Sequence, residues 1–317
     1  MGQSEADSMH RPEEEDELET RRRKEEFEQQ GERIRASMSK IKYKVIILSG
    51  KGGVGKSTVT ANLAFALAQG GHPNRVGILD ADITGPSIPK MLSARKQQLN
   101  AGPPGIFPAI GPLGMRIVST DFFLASDETP IIWRGPLKSA AIRQFLADVV
   151  WGELDYLIID LPPGTGDEAL SVIQFIPHID GAIIVTIPSE VSQIVVKKAV
   201  TFARELDVRI IGLVENMSGF VCPNCGTLTE IFMAGGGDKI AKDLGISLLG
   251  RIPLDRRISE SSDSGASFVL RNPDSDAAKA FMDIVDKVEQ FLLGATEQTG
   301  PSSAPEEGAG VGKGKRE

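Results

Sequence analysis

The residues best suited to chemistry lie in a short glycine-rich segment at positions 50–58. Gly50 and Gly55 enclose four residues and precede Lys56 and Ser57, which is the spacing of a phosphate-binding P-loop. Glycines let the backbone adopt positive φ and turn its N–H groups toward phosphate oxygens. We expect the Lys56 ammonium to reach the β- and γ-phosphates of a nucleotide and the Ser57 hydroxyl to bind Mg²⁺. The predicted nucleotide-binding residues of this segment are Gly50, Lys51, Gly52, Gly53, Val54, Gly55, Lys56, Ser57 and Thr58.

The same glycines also match a second nucleotide-binding motif. Gly50, Gly52 and Gly55 fit G-x-G-x-x-G, the fingerprint of loops that bind NAD-type dinucleotides. A dinucleotide loop requires no lysine and serine directly after its last glycine, whereas a P-loop does. The sequence therefore favours ATP or GTP as the ligand.

Carboxylates follow two further apolar runs. Asp80 and Asp82 follow the predicted strand at 75–79, and Asp160 ends the predicted strand at 155–160. Side chains two residues apart on a strand project to the same side, so we expect the first pair to face one site. We expect Asp82 to orient or activate the attacking water, and Asp80 to lie just beyond the direct metal ligands. Asp160 is the predicted Walker B acid that supports Mg²⁺ and its waters. The alternative for the first pair is turn formation, because Asp, Gly and Pro are all common in loops.

A lysine stands directly after the first glycine of the P-loop, at position 51. An ordinary P-loop tolerates many residues there, but a lysine resembles the deviant Walker A ATPases, which include MinD/ParA and the nitrogenase iron protein. In that group this lysine reaches across a dimer to the partner's nucleotide. The resemblance implies that Lys51 neutralises charge on the transferring phosphoryl group in trans, as an arginine finger does. A solvated lysine is the alternative.

Two residues in the second half of the chain are predicted to contact the base. Asn216 follows the predicted strand at 209–214, and Pro253 follows the last predicted strand, at 247–252. An asparagine amide both donates and accepts, so Asn216 can accept from an adenine amine and donate to N7. A loop-capping role is the alternative for Asn216. We expect Pro253 to close over the base.

The chain has two cysteines, Cys222 and Cys225, in a C-x-x-C spacing. One such pair brings two thiolates near a soft cation but supplies only half of a tetrahedral Cys₄ site. An isolated pair is compatible with zinc, redox and iron–sulfur chemistry. A thioredoxin-type motif is disfavoured, because it requires the pair at the start of a helix after the first strand of a βαβ unit. If Lys51 indicates a nucleotide-bound dimer, two-fold symmetry places two pairs opposite each other, which gives four sulfurs.

Composition limits the classes of function. The 317 residues, 41% of them hydrophobic, suffice for one large α/β domain or two small ones. A net charge of −8 argues against a broad nucleic-acid-binding surface. No apolar stretch approaches a membrane span, and the acidic start does not resemble a signal peptide. We therefore expect a cytoplasmic protein with no nucleic-acid and no membrane partner.

Charge and periodicity divide the chain into three parts. Residues 1–40 are a charged N-terminal arm that we expect to be partly disordered or helical. Residues 41–293 alternate apolar strands with helices, which predicts an α/β fold: a doubly wound, mostly parallel sheet with helices on both faces. Within this domain, residues 93–114 are expected to form an irregular insertion. The tail at 294–317 is rich in Gly, Ser, Pro and Glu and is expected to be disordered.

Four segments together closely resemble the Mrp/ApbC family, also called the Nbp/Cfd-type iron–sulfur cluster carrier ATPases. The resemblance covers roughly residues 40–290, and the four motifs are jointly specific. They are GKGGVGKST at 50–58, DADITGPS at 80–87, DLPPGTGD at 160–167 and NMSGFVCPNC at 216–225.

The resemblance implies a homodimer that binds a [4Fe–4S] cluster between Cys222 and Cys225 of both subunits, with zinc as the other candidate there. It also implies slow ATP hydrolysis, with Lys51, Lys56 and Asp82 as the catalytic residues, coupled to loading or transfer of the cluster to apo iron–sulfur proteins. The N-terminal arm contains no cysteine, so no second cluster is expected. It is also too short for the small extra domain that some bacterial members carry.

Two other functions are compatible with parts of the sequence. A MinD/ParA-like positioning ATPase would cycle on a membrane or DNA, but it needs no C-x-x-C pair, and the tail offers no basic amphipathic helix. A zinc-bridged structural dimer would use the same cysteines without metal transfer. Electron transfer of the nitrogenase iron-protein type would require single cysteines in two separate segments, which this chain does not have.

Overall fold

A central sheet organises the fold in the computed structural model, which describes residues 11–123, 135–222, 224–231 and 236–298. Nine of the described strands form this sheet, and two short strands form a separate hairpin. The strands are β1 (Ile41–Ser49), β2 (Val76–Asp80), β3 (Asn100–Gly102), β4 (Gly105–Phe107), β5 (Ala109–Ile110), β6 (Arg116–Ser119), β7 (Leu154–Asp160), β8 (Gly181–Thr186), β9 (Ile210–Val221), β10 (Leu228–Thr229) and β11 (Leu248–Leu254).

The strand order of the sheet is β10-β9-β8-β1-β7-β2-β6-β5, with β11 paired to β9. Its pairs are parallel except β5 with β6 and β9 with β10. The chain moves one way along the sheet from β1 to β2 and the other way from β7 to β8. In a doubly wound sheet, ligands bind where this direction changes, outside the carboxyl ends of the strands. The predicted fold class is confirmed.

Helices cover both faces of the sheet, which explains the apolar run in β1. Val45 and Ile47 face one hydrophobic cluster with α2 and α10, whereas Ile46 and Leu48 face a second with α4, α5 and α6. The helices are α1 (Arg11–Met38), α2 (Lys56–Gln69), α3 (Ile88–Met91), α4 (Gly135–Asp148), α5 (Asp167–Phe175), α6 (Glu190–Glu205), α7 (Gly236–Leu244), α8 (Arg256–Ser264), α9 (Phe268–Arg271) and α10 (Asp276–Gln298), with 3₁₀ turns at Pro112–Gly114 and Thr120–Phe123.

The charged arm forms a helix that docks at its C-terminal end. Ile34 and Met38 of α1 are buried, and α1 packs against α4. The Arg143 guanidinium of α4 lies 3.5 Å from the centroid of the Phe27 ring. No helix in the described ranges is both long and apolar enough to cross a membrane. Residues 1–10 lie outside the described residues.

Three boundaries differ from the sequence-based predictions. Strand β9 does not end before Asn216 but continues to Val221, because its last residues pair with β10. The segment at 93–114 contains the short strands β3, β4 and β5 rather than being irregular throughout. Helix α10 runs on to Gln298, past the predicted start of the tail. The predicted disorder at 299–317 falls outside the described residues.

Candidate functional site

The P-loop connects β1 to α2 at the carboxyl edge of the sheet. Gly53 and Gly55 have φ of 78° and 79°, in the left-handed region that favours glycine. Helix α2 begins at Lys56, so the unpaired N–H groups of its first turn face the loop. The loop lines a cavity of about 230 Å³ that Asp82 and Pro163 also border. Backbone donors and a cavity therefore occur together, as phosphate binding requires.

Asp160 at the end of β7 is the centre of a polar cluster and is fully buried. Its carboxylate lies 2.7 Å from the Lys56 ammonium, and it accepts hydrogen bonds from the hydroxyls of Ser57 at 2.5 Å and Thr60 at 2.7 Å. A buried carboxylate without such donors would be strongly unfavourable. The polar cluster therefore holds the predicted Walker B acid Asp160, the P-loop lysine and the Ser57 hydroxyl side by side, and the metal-supporting role of Asp160 stays a prediction.

Asp80, fully buried at the end of β2, organises the loop that follows it. Its carboxylate accepts hydrogen bonds from the backbone N–H groups of Ser87 and Ile88, at 3.2 and 3.3 Å, and from the Ser119 hydroxyl at 3.1 Å. Burial, followed by repulsion from Asp160, raises the pKa of Asp80 to about 8. Asp80 thus performs the turn-forming role that the sequence left open, and its predicted place beside a metal stays a prediction.

Asp82 lies two residues further along, half-buried at the border between two cavities. One is the P-loop cavity, and the other, of about 620 Å³, also borders Thr84, Asp167 and Glu168. The Asp82 carboxylate accepts a hydrogen bond of 3.2 Å from the Gly85 N–H. Burial raises the pKa of Asp82 above its ordinary value, although the Lys56 cation opposes the shift. The predicted water-orienting role of Asp82 stays a prediction.

Lys51 differs from Lys56 in that its ammonium has no partner in the part of the chain that the structure describes. It is half-buried and lines the P-loop cavity. Its backbone carbonyl accepts a hydrogen bond from the Ser49 hydroxyl at 3.1 Å. Among the described residues, none forms a hydrogen bond or ion pair with the Lys51 ammonium. The side chain is therefore free to reach a group outside its own chain.

Asn216 contacts the P-loop from β9. Its side-chain amide donates a hydrogen bond of 2.9 Å to the Val54 carbonyl, and a Cβ atom on Gly55 would lie 2.3 Å from that amide nitrogen. Pro253 is on the neighbouring strand β11, where Ile252 pairs with Asn216. Pro253 also lines a cleft of about 830 Å³. Their predicted contacts with a base stay predictions.

The cysteine pair lies in a tight turn between β9 and β10. The Gly226 N–H donates to the Cys222 carbonyl at 2.9 Å, and the Cys222 N–H donates to the Thr227 carbonyl at 3.0 Å. Cys222 is half-buried and Cys225 is exposed. Hydrogen bonding with the Thr227 side chain lowers the pKa of the Cys225 thiol, which favours the metal-binding thiolate. Pro223, one of the two residues between them, lies outside the described residues.

This pair does not form a complete metal site by itself. In the parts of the chain that the structure describes, no three His, Cys, Asp or Glu side chains are grouped to hold a metal ion. The two cysteines are therefore at most half of a four-sulfur site within these residues.

Comparison with known proteins places this arrangement in a family. The model for the NUBPL iron-transfer P-loop NTPases, a ParA-type group, matches residues 40–289. The chain belongs to this iron-transfer P-loop NTPase family. A protein of Methanocaldococcus jannaschii named iron–sulfur cluster carrier protein is 57% identical over 269 residues, which are 85% of this chain and 91% of the relative. A protein of the same name from Saccharolobus solfataricus is 55% identical over 260 residues, 82% of this chain and 87% of the relative. The predicted resemblance to the Mrp/ApbC carriers is confirmed.

Solved structures agree with this membership. A nucleotide-binding protein from Archaeoglobus fulgidus in complex with ADP is 40% identical, with a TM-score of 0.69 over 79% of this chain and 96% of that one. The cell-division ATPase MinD of Pyrococcus furiosus is 24% identical, with a TM-score of 0.56 over 79% of this chain and 99% of its own. The MinD likeness shows a shared fold alone, so the positioning-ATPase alternative is not favoured.

Two buried residues that contribute to the site were not predicted from the sequence. Thr60 lies one helical turn after Lys56 and binds Asp160, which its spacing on α2 could have indicated. Glu215, directly before Asn216, is buried and accepts hydrogen bonds from the Ser218 hydroxyl and the Gly237 N–H. An acid inside an apolar strand was the available signal for Glu215, because buried acids require partners.

Proposed function

We propose that this chain binds and slowly hydrolyses ATP with Mg²⁺, and that two copies carry a [4Fe–4S] cluster between their Cys222 and Cys225 pairs for transfer to apo iron–sulfur proteins. The observation that carries this proposal is the course of β9. The strand contacts the P-loop through Asn216 and ends at Val221, directly before Cys222. The nucleotide site and the cysteine turn are thus joined by one continuous strand, along which they can influence each other.

The residues at the P-loop fit a magnesium nucleotide. The Ser57 hydroxyl and the Asp160 carboxylate present oxygen atoms 2.5 Å apart, and oxygen is the ligand that Mg²⁺ prefers. Ser57 would hold the ion directly and Asp160 would hold its waters; bound Mg²⁺ neutralises charge on the phosphates. Lys56 and the glycine N–H groups bind the phosphates, while Asn216 and Pro253 contact the base.

Hydrolysis is assigned to two side chains at the rim of the P-loop cavity. The Asp82 carboxylate orients the attacking water, because it lies at the junction of the P-loop cavity and the adjoining one. Lys51 reaches the nucleotide of the second copy, which its free ammonium allows. We infer that ATP favours a closed pair of chains and that hydrolysis relaxes the loops around Asp82 and Asp160.

The iron–sulfur cluster is the cargo of the proposed carrier, and the exposed cysteine turn suits its transfer. A [4Fe–4S] cluster takes four cysteine thiolates, and one chain supplies two. A two-fold arrangement of two chains brings the second pair. The exposed Cys225 sulfur is accessible to an acceptor protein, whereas a buried pair would have to unfold locally to release its cargo.

Anaerobic reconstitution with iron and sulfide tests the cargo site. Wild type is expected to bind about four iron and four sulfide per two chains, and Cys222→Ala and Cys225→Ala to bind neither firmly. ATP hydrolysis by the variants serves as the folding control, because neither cysteine lines the P-loop cavity. Transfer to an apo-ferredoxin is then followed with ATP and without it.

Three results would contradict the proposal. Equal iron and sulfide in wild type and both variants would exclude the cysteines as ligands. Zinc without sulfide in anaerobically prepared protein would favour the structural dimer. If the rate of cluster transfer to the apo-ferredoxin were the same with ATP, with ADP and without nucleotide, ATP hydrolysis would not be coupled to cluster transfer.

A further inference from the structure

Lys138, in the first turn of α4, joins two loops beside the nucleotide cavity. Its ammonium donates a hydrogen bond of 3.1 Å to the Thr84 hydroxyl and forms an ion pair of 2.5 Å with Glu168. The side chain of Lys138 is 15% exposed and that of Glu168 is 41% exposed. Partial burial of the lysine distinguishes this contact from an ordinary surface ion pair, which contributes little.

The first of these loops positions Asp82. Thr84 lies two residues after Asp82, and the Gly85 N–H donates to the Asp82 carboxylate. The far end of the same loop is held by Asp80 through Ser87 and its neighbour. Thr84, in the middle, makes its side-chain contact with Lys138 instead. Both contacts, that of Thr84 with Lys138 and that of the far end with Asp80, follow Asp82 in the chain, so the place of Asp82 depends on how they hold this loop.

The second loop follows the Walker B acid. It runs from Asp160 to α5, whose first turn contains Glu168. The Gly164 N–H of this loop donates to the Ser49 carbonyl at the end of β1, at 2.9 Å. Pro163 of the same loop borders the P-loop cavity together with Asp82. Both loops are thus tied to the sheet by hydrogen bonds, and both are linked to Lys138, the first through Thr84 and the second through Glu168 at its junction with α5.

The charges around the neighbouring cavity explain why a cation is needed there. Asp82, Asp167 and Glu168 all line the cavity of about 620 Å³. Like charges around one space repel, and the repulsion would separate the two loops. The Lys138 ammonium offsets part of this negative charge from a helix that contributes no residue to the P-loop cavity.

We propose that Lys138 is a positioning residue for ATP hydrolysis, which ties the Thr84 loop to Glu168 and thereby holds Asp82 at the phosphate end of the nucleotide site. This inference rests on the proposed ATPase function. Among the described residues, the Lys138 ammonium bonds to Thr84 and Glu168, and Lys138 does not line the P-loop cavity. We therefore expect it to act on the placement of Asp82 and not on nucleotide binding.

Steady-state hydrolysis of Mg–ATP by the full-length chain tests this role. Lys138→Ala is expected to lower kcat by about 10- to 100-fold, a typical loss when a reacting group is misplaced, and to change KM by less than about threefold. Lys138→Arg is expected to keep most of the activity. Lys138→Glu combined with Glu168→Lys is expected to recover activity that each single variant loses. Lys239→Ala, at an exposed site on α7, is the matched control.

The outcomes separate this inference from the function on which it rests. An active wild type with Lys138→Ala equal to Lys239→Ala would overturn the role of Lys138 alone. The role of Lys138 would also be overturned if Lys138→Ala raised KM without lowering kcat. The same would follow if the Lys138→Glu, Glu168→Lys double variant were no more active than either single variant. If Lys138→Ala does not fold, Thr84→Val and the charge exchange still decide the question. A folded wild type that hydrolyses no ATP would overturn the proposed function as well.

Discussion

The side-chain amide of Asn216 donates a hydrogen bond of 2.9 Å to the backbone carbonyl of Val54. This contact joins the P-loop to the strand that leads into the cysteine turn, six residues before Cys222. Gly55 is required for the approach, because a side chain there would overlap the amide. Any shift of the loop must therefore displace Asn216 or break its hydrogen bond.

The first prediction concerns the space at Gly55. Gly55→Ala would place a Cβ atom 2.3 Å from the Asn216 amide, whereas at Gly53 a Cβ atom would have no neighbour within 4 Å. Both glycines have positive φ, so both alanine variants carry backbone strain. We expect Gly55→Ala to lower the free energy of unfolding by about 1–3 kcal/mol more than Gly53→Ala. Urea unfolding of the nucleotide-free protein measures the difference, and equal losses would show that the Asn216 contact is not tight.

The second prediction separates the two P-loop lysines. Lys56→Ala removes the ammonium from a fully buried Asp160, so we expect a loss of about 3–5 kcal/mol in stability as well as loss of hydrolysis. Lys51→Ala removes a cation that has no partner among the described residues. We expect it to abolish most hydrolysis while changing stability by less than about 0.5 kcal/mol.

Thermal or urea unfolding beside an ATPase assay measures both variants. If Lys51→Ala were as unstable as Lys56→Ala, the Lys51 ammonium would have a stabilising partner within the folded chain, contrary to the prediction. Full hydrolysis by Lys51→Ala would contradict its role on the second copy's nucleotide.

The third prediction is a pH dependence of stability at the opposite end of the sheet. Burial raises the pKa of Asp155, but hydrogen bonds from His72 and Arg75 outweigh it and hold the pKa below its ordinary value. A lowered pKa in the folded state stabilises the protein above the ordinary carboxyl pKa, and this stability is lost as the pH falls through the lowered value. Asp155→Asn should therefore show a shallower fall in the free energy of unfolding between about pH 5 and pH 3 than wild type.

Asp283→Asn is the control for this measurement, since Asp283 is exposed on α10. His72 also lies 3.0 Å from Glu289 of the same helix, so the Asp155→Asn variant keeps one of the two carboxylate contacts of His72. If the free energy of unfolding of Asp155→Asn fell with pH as it does for wild type and Asp283→Asn, Asp155 would not be the source of this acid dependence.

Local patterns were sufficient to predict the sheet, the P-loop and the Walker B strand. The run before Gly50 is apolar at every position because β1 is covered on both faces, and the glycines and Lys56 are close in sequence. The end of β9 was predicted too early, because Asn216, Ser218 and Gly219 are turn formers and their pairing partners come later in the chain.

Contacts between distant segments had no such signal. Lys138 meets Thr84 and Glu168 only through packing of α4 beside the sheet, and no spacing along the chain relates the three. Asp80 was placed at the correct strand end, but its hydrogen bonds to the following loop depend on the fold of that loop. The sequence therefore predicts which residues reach the site better than it predicts which residues hold them there.

Native mass spectrometry of the anaerobically reconstituted protein with Mg–ATP tests the central claim most directly, because it counts chains, iron and sulfide in one particle. We predict a particle of two 34.0-kDa chains with one [4Fe–4S] cluster, and loss of that cluster in the Cys222→Ala and Cys225→Ala variants. A single chain that retains a complete cluster, or paired chains that hold no iron and sulfide, would contradict it.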